Sequence, residues 1–226
     1  MMKYIAGLFF IIIFCISCKE QNKTNLPQDN IKSETKDKVT SSGSDGLHVY
    51  TKFEYADAIG KRLIIQNGFP RGGLKYTDPN GKVYVYAVFW TRIINETDNP
   101  LELKISFPVD SYELPSSPGR SFKILLPSDT MSLDKVNLFN YGLDLESFLD
   151  NGIHKSSSLK RTINPKESSG FYVVTLFNKG VDGALRTGLS LKDQNLFYRV
   201  KVDGSKNYNT SSDKEIHCGS INLHLK

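Results

Sequence analysis

Apolar residues after position 47 recur either at every second position or in short continuous runs, and both patterns predict β-strands. In LELKISF (101–107) the four apolar residues occupy alternate positions. This period of two is typical of an antiparallel strand with one face in the core and one in solvent. The strand follows the turn-forming sequence NETDNP and the apolar run VYVYAVFWTRII (83–94). We therefore expect 83–94 and 101–107 to pair in a hairpin or meander.

Further strand candidates are separated by clusters of Gly, Pro, Asn, Asp and Ser, which favour turns. They are HVYTKFEY (48–55), KRLIIQ (61–66), LKYT (74–77), SFKILL (121–126), FYVVTLF (171–177), LFYRVKV (196–202) and EIHCGSINLHL (215–225). The sequence Asp78-Pro79-Asn80-Gly81 predicts a turn that joins 74–77 to the strand beginning at Lys82 or Val83. About eight strands with frequent turns favour a mostly β fold, a single antiparallel β-sandwich.

Helical periodicity is restricted to residues 127–160, which we interpret as an insertion between strands. The segment LDLESFLD (143–150) places its apolar residues on one side, and Asn151-Gly152 fits the end of a helix. Ser132 is a candidate cap for a helix of one or two turns that runs through Phe139. The insertion is therefore expected to contain one or two short helices.

The segment from Lys19 to about Gly46 is almost free of apolar residues and rich in Lys, Glu, Asp, Ser, Thr, Asn and Gln. Such a composition does not bury enough surface to offset the entropy of ordering. As a coil of about 28 residues it would span on the order of 30 Å. It predicts a disordered tether, and a disordered leader without a spacer role has the same composition. The folded domain is expected at 47–226.

The first 18 residues, MMKYIAGLFFIIIFCISC, combine a short basic start, an apolar run, a small residue and a cysteine. The run from Ile5 to Phe14 is too short for a permanent transmembrane helix, which needs about 20 residues. This segment resembles a bacterial lipoprotein precursor, although Cys15 stands where that motif usually carries Leu. An ordinary cleaved signal peptide and an uncleaved anchor are the alternatives.

The resemblance implies removal of 1–17 as a signal peptide and lipidation, for example with palmitate, of Cys18, followed by a tether at 18–46. It implies a lipoprotein of the cell envelope, with the membrane as partner through the N-terminal lipid. Lys19 replaces the Asp that commonly retains such proteins at the inner membrane, so the outer membrane is favoured. Separately, the pattern of turns and strands at 83–107 and 163–177 is similar to that of Ig-like extracytoplasmic domains.

The charge of the chain argues against nucleic-acid binding, and its cysteine content argues against an intramolecular disulfide. The net charge of +5 becomes +4 once Lys3 is removed, with 28 Lys and Arg against 24 Asp and Glu. This small excess is scattered along the chain and forms no basic stripe of the kind that nucleic acid requires. With Cys15 in the signal and Cys18 lipidated, Cys218 is the remaining thiol, so no intramolecular disulfide is expected.

The sequence around Cys218 predicts a structural role for this thiol. A bulge at Gly219-Ser220 would place Cys218 in the core and both His217 and His224 outside, on the order of 20 Å apart along a strand. That separation is too long for a shared metal ion. The chain also has no phosphate-binding glycine loop, nucleophile elbow, CxxC pair or HExxH motif. We predict no metal and no cofactor.

Two constellations remain as candidates for function. Tyr84, Tyr86, Trp90 and Arg92 share one face of the 83–94 strand, and Tyr and Trp favour sites with one apolar and one polar side. This face is a possible binding surface for a glycan, a peptide or another envelope protein, or else the core of a second layer covered by 127–160 or 47–75. The loop signals Arg71-Gly72-Gly73 and Arg186-Thr187-Gly188 are expected to be solvated turns.

The second constellation consists of Asp144, Glu146, Asp150 and His154 in the insertion. Two of these groups in a cleft would supply an acid and a base for an envelope hydrolase, whereas a solvated helix face gives the same pattern. The sequence as a whole predicts a lipid-anchored, non-catalytic binding or assembly module rather than an enzyme, with the hydrolase as the alternative.

Overall fold

Two antiparallel β-sheets make up most of the part of the chain that the structure describes. The structure is a computed structural model, and it describes residues 47–56, 60–115, 117–204 and 213–222. The expected signal peptide, Cys18, the tether and His224 lie outside these residues. The elements are β1 Val49–Ala56, β2 Arg62–Gly68, β3 Arg71–Thr77, β4 Val83–Asn95, β5 Leu101–Phe107, β6 Tyr112–Glu113, β7 Ser121–Leu125, α1 Leu145–Gly152, β8 Ser157–Ile163, β9 Ser168–Phe177, β10 Ala184–Lys192, β11 Asn195–Asp203 and β12 Lys214–Asn222.

The strand order confirms the predicted mostly β fold, an antiparallel β-sandwich with a short helical insertion. One sheet has the order β1-β2-β4-β9-β7-β6, with β3 also paired to β4, and the other has the order β10-β11-β12-β5-β8. Helix α1 lies between β7 and β8, inside the predicted insertion. The side chain of Asp144 accepts a hydrogen bond from the Ser147 amide and caps this helix. Ser132 precedes a short 3-10 turn and makes no such cap.

Strand β4 is the central element of the first sheet. It pairs with β9 along one side, while its other side is shared between β2 and β3. Strands β2 and β3 therefore follow one another along the same edge, separated by Phe69 and Pro70. Pro70 has no backbone N–H to contribute to a ladder, which fits its place at this break. The predicted turn at Asp78-Pro79-Asn80-Gly81 joins β3 to β4, and the Gly81 amide donates to the Asp78 carbonyl at 2.9 Å.

The two faces of β4 belong to two different cores. Ala87, Phe89 and Ile93 point into the space between the two sheets. Tyr86, Val88 and Trp90 point the other way, into a second apolar cluster beneath the insertion. A strand buried on both faces has a continuous apolar sequence rather than an alternating one. This double burial accounts for the unbroken run at 83–94.

The predicted hairpin of β4 and β5 is wrong, because the two strands belong to different sheets. The NETDNP segment carries the chain from one sheet to the other. The buried Asn95 side chain holds this crossing by donating to the carbonyls of Asn99 and Ile163 and by accepting from the Thr97 amide. The turn residues were recognised correctly, but local sequence does not encode which sheet the next strand joins.

Strands β8 and β10 were missed, as was the two-residue strand β6. Residues 157–160 belong to β8 rather than to the insertion, and the supposed turn Arg186-Thr187-Gly188 lies inside β10. Arg71-Gly72-Gly73, also expected to be a turn, forms the start of β3. In each case, the alternation that signals a half-buried strand is diluted by Gly, Ser or Arg. Gly72 has a φ of +109° at an irregularity in the pairing of β3 with β4, a conformation that favours glycine.

A bulge in β12 is confirmed, but it lies at Cys218, just before the predicted Gly219-Ser220. The register with β11 shifts between Gly219 and His217, which buries Cys218 and leaves His217 exposed. Gly219 lies directly against β5, and a Cβ atom there would be 1.9 Å from the Lys104 carbonyl oxygen. Glycine is therefore required at this position for β5 and β12 to pair.

The buried side chain of Asn67 in β2 joins the two sheets along one side. Its Oδ1 accepts from the Leu189 amide at 2.8 Å, and its Nδ2 donates to the Leu189 carbonyl at 3.0 Å. The carboxamide thus pairs with the edge of β10 as another strand would. Thr51 and Thr91 complete its hydrogen bonding. A Cβ atom on Gly188 would be 3.2 Å from the Asn67 Nδ2, so glycine there permits the close approach.

Replacing Asn67 with alanine is expected to lower the free energy of unfolding by about 2–4 kcal/mol. The change leaves the Leu189 amide and carbonyl buried without partners, and each such group costs about 1–3 kcal/mol. Urea denaturation followed by circular dichroism measures this loss. Asn137→Ala, at an exposed position, is the control and should change stability by less than about 0.5 kcal/mol. Equal effects of the two variants would contradict the role given to Asn67.

Candidate functional site

The structure decides between the two interpretations of the aromatic face on β4. Tyr84, Tyr86 and Trp90 are 6%, 8% and 2% exposed, so they form a second core and not an open binding surface. Arg92 is partly exposed, and its Nε donates to the Ser168 hydroxyl at 3.2 Å. The prediction of an exposed binding face is therefore wrong, because residues of the insertion, together with Leu47, Val49 and Tyr76, pack with the three aromatic rings in the second core.

The polar ends of these aromatic residues and their neighbours find partners in the insertion. The Tyr86 hydroxyl accepts from the Asn140 side-chain amide at 2.9 Å. Tyr76 stacks on Tyr84 and donates to the Asp150 carboxylate at 2.6 Å. Buried tyrosines need such partners, so these bonds explain how polar-tipped rings are accommodated in a core.

A cavity of about 370 Å³ opens where His48, just before β1, the β2–β3 break and the insertion meet. The edge of Trp90 forms part of its wall, although the residue as a whole is buried. Gly68 makes room for the indole, since a Cβ atom there would be 2.1 Å from the Trp90 Nε1. The lining residues are His48, Phe69, Pro70, Arg71, Trp90, Val136, Asn137 and Tyr141.

A strained turn places one aromatic ring of this cavity. Asn140, Tyr141 and Gly142 all have positive φ, at 48°, 58° and 70°. Left-handed backbone costs about 1–2 kcal/mol for a residue that has a Cβ atom, so surrounding contacts must hold it. The Tyr141 hydroxyl donates to the Phe69 carbonyl at 2.6 Å, and the Tyr141 ring stacks on Tyr172. Strain of this kind is common where a side chain must be positioned for binding.

Burial of the Tyr141 ring raises the pKa of its hydroxyl to about 12. The positive charge of Arg71 and hydrogen bonds from Arg71 and Trp90 oppose this rise but do not cancel it. The hydroxyl therefore remains protonated at neutral pH and acts as a hydrogen-bond donor. Its position between Phe69 and the cavity makes it a structural support of the site.

The mouth of the cavity is aromatic and cationic. The Arg71 guanidinium lies 5.8 Å from the centre of the Tyr141 ring and donates to the Val136 carbonyl at 3.2 Å. Outside the lining, the Arg186 guanidinium lies 5.4 Å from the Tyr50 ring and 5.6 Å from the Phe69 ring. Flat apolar rings beside guanidinium groups are suited to stacking and to accepting anionic or polar ligands.

The acid–base candidates of the insertion lie outside the cavity. Asp144, Glu146, Asp150 and His154 are all exposed, and none of them lines the cavity. The Asp144 carboxylate caps α1, and the Asp150 carboxylate accepts from Tyr76. Within the described ranges, no three His, Cys, Asp or Glu side chains are grouped so that they could hold a metal ion.

Comparison with known proteins provides no assignment: no family model, no curated protein and no solved structure matches the chain. The similarity to Ig-like domains therefore rests on the pattern of strands and turns. Among the described residues, no helix is long and apolar enough to cross a membrane.

Sequence reasoning identified Trp90 but missed most residues of the cavity. Phe69, Pro70 and Tyr141 lie in connections that showed no periodic pattern. One signal was present: Asn140 and Gly142 flank Tyr141, and Asn and Gly are the residue types that most readily adopt positive φ. Arg71 was assigned to a solvated turn, and its contact with the insertion depends on the tertiary structure.

Replacing Trp90 with alanine is expected to destabilise the domain by about 3–5 kcal/mol, since it removes a large, fully buried side chain from the second core. Urea denaturation followed by circular dichroism is the suitable measurement, because Trp90 is the single tryptophan of the chain. Arg92→Ala on the same face should cost less than about 1 kcal/mol. A mild effect of Trp90→Ala would show that the second core is not packed as described.

Cys218 is expected to be unreactive in the folded protein. Burial raises the pKa of its thiol from 9.0 to about 12, and the thiolate is the reactive form. A thiol reagent such as DTNB at pH 8 should modify Cys218 only after denaturation. Because the folded pKa is above the unfolded one, this thiol's contribution to stability is fully present below pH 9 and is lost as the pH rises towards 12. Rapid modification without denaturant would contradict the buried position.

Proposed function

We propose that the chain is a lipid-anchored cell-envelope protein whose β-sandwich binds a ligand or partner at the cavity beside Trp90, without catalysing a reaction. The observation that carries the binding role is the cavity itself, where the Tyr141 ring, held by a strained turn, lies beside Phe69, Trp90 and the Arg71 guanidinium. A concave site in which a small number of polar groups converge beside aromatic side chains is a usual form of a binding site.

The lining favours recognition by stacking and hydrogen bonding. Phe69, Tyr141 and the Trp90 edge provide apolar surface, and Arg71 and Asn137 provide donors at the mouth. These groups suit the sugar rings of a glycan or a side chain of another envelope protein. None of the eight lining residues is a carboxylate, so the acid–base pair required by the alternative hydrolase finds no support at this site.

The proposed location at the membrane depends on the N-terminal sequence that ends at Cys18. We propose that lipid is attached to this cysteine and that residues 1–17 are removed. A lipoprotein modification carries several acyl chains, and each buried CH₂ contributes roughly 0.8 kcal/mol to membrane binding. The outer membrane is the proposed location, because Lys19 follows the cysteine.

Both parts of the proposal can be tested in cells that express the full chain. Labelled palmitate should be incorporated into the wild-type protein and not into Cys18→Ser, and only the wild type should float with membranes. Equal labelling of the two would contradict lipidation at Cys18.

For the binding role, Arg71→Ala is compared with Lys75→Ala. Both residues are exposed cations of β3, but only Arg71 lines the cavity. Detergent-solubilised envelope is passed over the immobilised lipidated proteins, and any retained glycan or protein is then measured with purified components. We expect Arg71→Ala to weaken binding by about tenfold, as for loss of one charged contact, and Lys75→Ala to have little effect. Equal affinity of the two variants would contradict the assignment of the cavity.

A further inference from the structure

A group of exposed apolar side chains lies in the insertion, in a segment of seven residues. Leu133, Leu138 and Phe139 are 44%, 49% and 71% exposed. Single exposed apolar residues are ordinary, but three within one short loop, including a largely exposed Phe, form a surface that water solvates poorly. We refer to residues 133–139 as the apolar loop.

The apolar loop is fixed to the domain by contacts with the second core, with Arg71 and with the strained turn. Val136 packs against the second core, and its carbonyl accepts from the Arg71 guanidinium at 3.2 Å. The Leu138 side chain contacts the strained turn, 3.1 Å from where a Cβ atom on Gly142 would lie. Phe139 is therefore exposed on a loop that neighbouring residues hold in place.

Charges of both signs lie around the apolar loop, and the carboxylates are those of Asp129 and Asp134. Lys135 lies within it, and Arg71 is bound to its Val136 carbonyl. Asp134 is the carboxylate of the loop, and a hydrogen bond from Ser132 lowers the pKa of this group, so it is ionised at neutral pH. Apolar side chains with flanking Lys and Arg are typical of protein surfaces that enter a bilayer interface.

The chain enters the described domain at the same place. Leu47 is buried in the second core, which also contains Tyr141, and His48 lines the cavity together with Val136 and Asn137. The residues that lead from Cys18 therefore join the domain beside the apolar loop. Twenty-eight residues, 19–46, extend at most about 100 Å, which confines an anchored domain to the vicinity of the bilayer.

We propose that the apolar loop docks on the lipid surface and inserts Leu138 and Phe139 into the interface of the membrane that carries the anchor. This inference rests on the lipid anchor of the proposed function. The anchor keeps the domain at a high local concentration near the bilayer, so even a small apolar surface suffices for docking. Lys135 and Arg71 then face the anionic headgroups, and the end of the domain where the chain enters faces the membrane.

The test uses the chain from Cys18 onward, produced without lipid and coupled through the Cys18 thiol to a maleimide lipid. The vesicles consist of phosphatidylcholine and phosphatidylglycerol, with or without bromine on the acyl chains. Chemical coupling replaces cellular acylation, so the docking result does not depend on whether Cys18 is modified in cells. Coupling is specific to Cys18 because Cys218 is buried.

Tryptophan is placed in the loop as Phe139→Trp and, as the matched control, at the exposed apolar Val109 as Val109→Trp. Both variants retain the buried Trp90 as a constant background. An apolar side chain at the interface reaches 5–10 Å into the bilayer, so the Phe139→Trp emission should shift to shorter wavelength and fall by about half on brominated vesicles. Val109→Trp should show neither change.

Equal emission of the two variants on brominated vesicles would overturn the docking proposal and would leave the apolar loop as a surface for another protein. If Phe139→Trp is quenched while cells do not acylate Cys18, the docking surface is supported and the proposed anchor fails. If cells acylate Cys18 but Phe139→Trp is not quenched, the anchor stands and the docking proposal fails.

Discussion

The pairing of the Asn67 carboxamide with the backbone of Leu189 joins the two sheets of the sandwich, and the rest of the structure is built on this sandwich. The edge strand β10 of one sheet would otherwise present unpaired amide and carbonyl groups to the interior at this point. Asn67 satisfies both groups with one side chain, and Thr51 and Thr91 satisfy the remaining capacity of the amide. The Tyr55 hydroxyl extends the contact by accepting from the Leu191 amide. A fully satisfied buried network of this kind fixes one arrangement of the two sheets, because any shift of β10 would break several bonds together.

The first sheet also supports a second apolar layer on its outer face. Strand β4 contributes to both layers, and the insertion between β7 and β8 covers the outer one. The cavity is a consequence of this arrangement. It forms where Phe69 and Pro70 interrupt the edge of the sheet and where the strained turn at Tyr141 meets that break.

The proposed binding cavity and the proposed membrane contact are both built on the insertion, and both lie where the chain enters the domain. The Val136 carbonyl and the Arg71 guanidinium connect them physically. The cavity would therefore bind its ligand close to the bilayer, as expected if the ligand or partner belongs to the cell envelope. Exposed apolar side chains lower solubility, so a docking role gives Phe139 a function that a purely soluble surface would not require.

The sequence by itself determined the fold class, most strands, a bulge that buries Cys218 and a helix, predicted at 143–150 and found at 145–152, since each of these follows from side-chain period or turn chemistry within a few residues. It missed the short β6, and it missed β8 and β10, where polar and glycine residues dilute the alternation. Tertiary structure alone decided that β4 and β5 belong to different sheets and that Tyr84, Tyr86 and Trp90 face a second core. It also brought His48, Arg71 and Tyr141 to one cavity. These outcomes depend on contacts between residues that are distant along the chain, and local patterns carry no information about which distant surface will cover a given face.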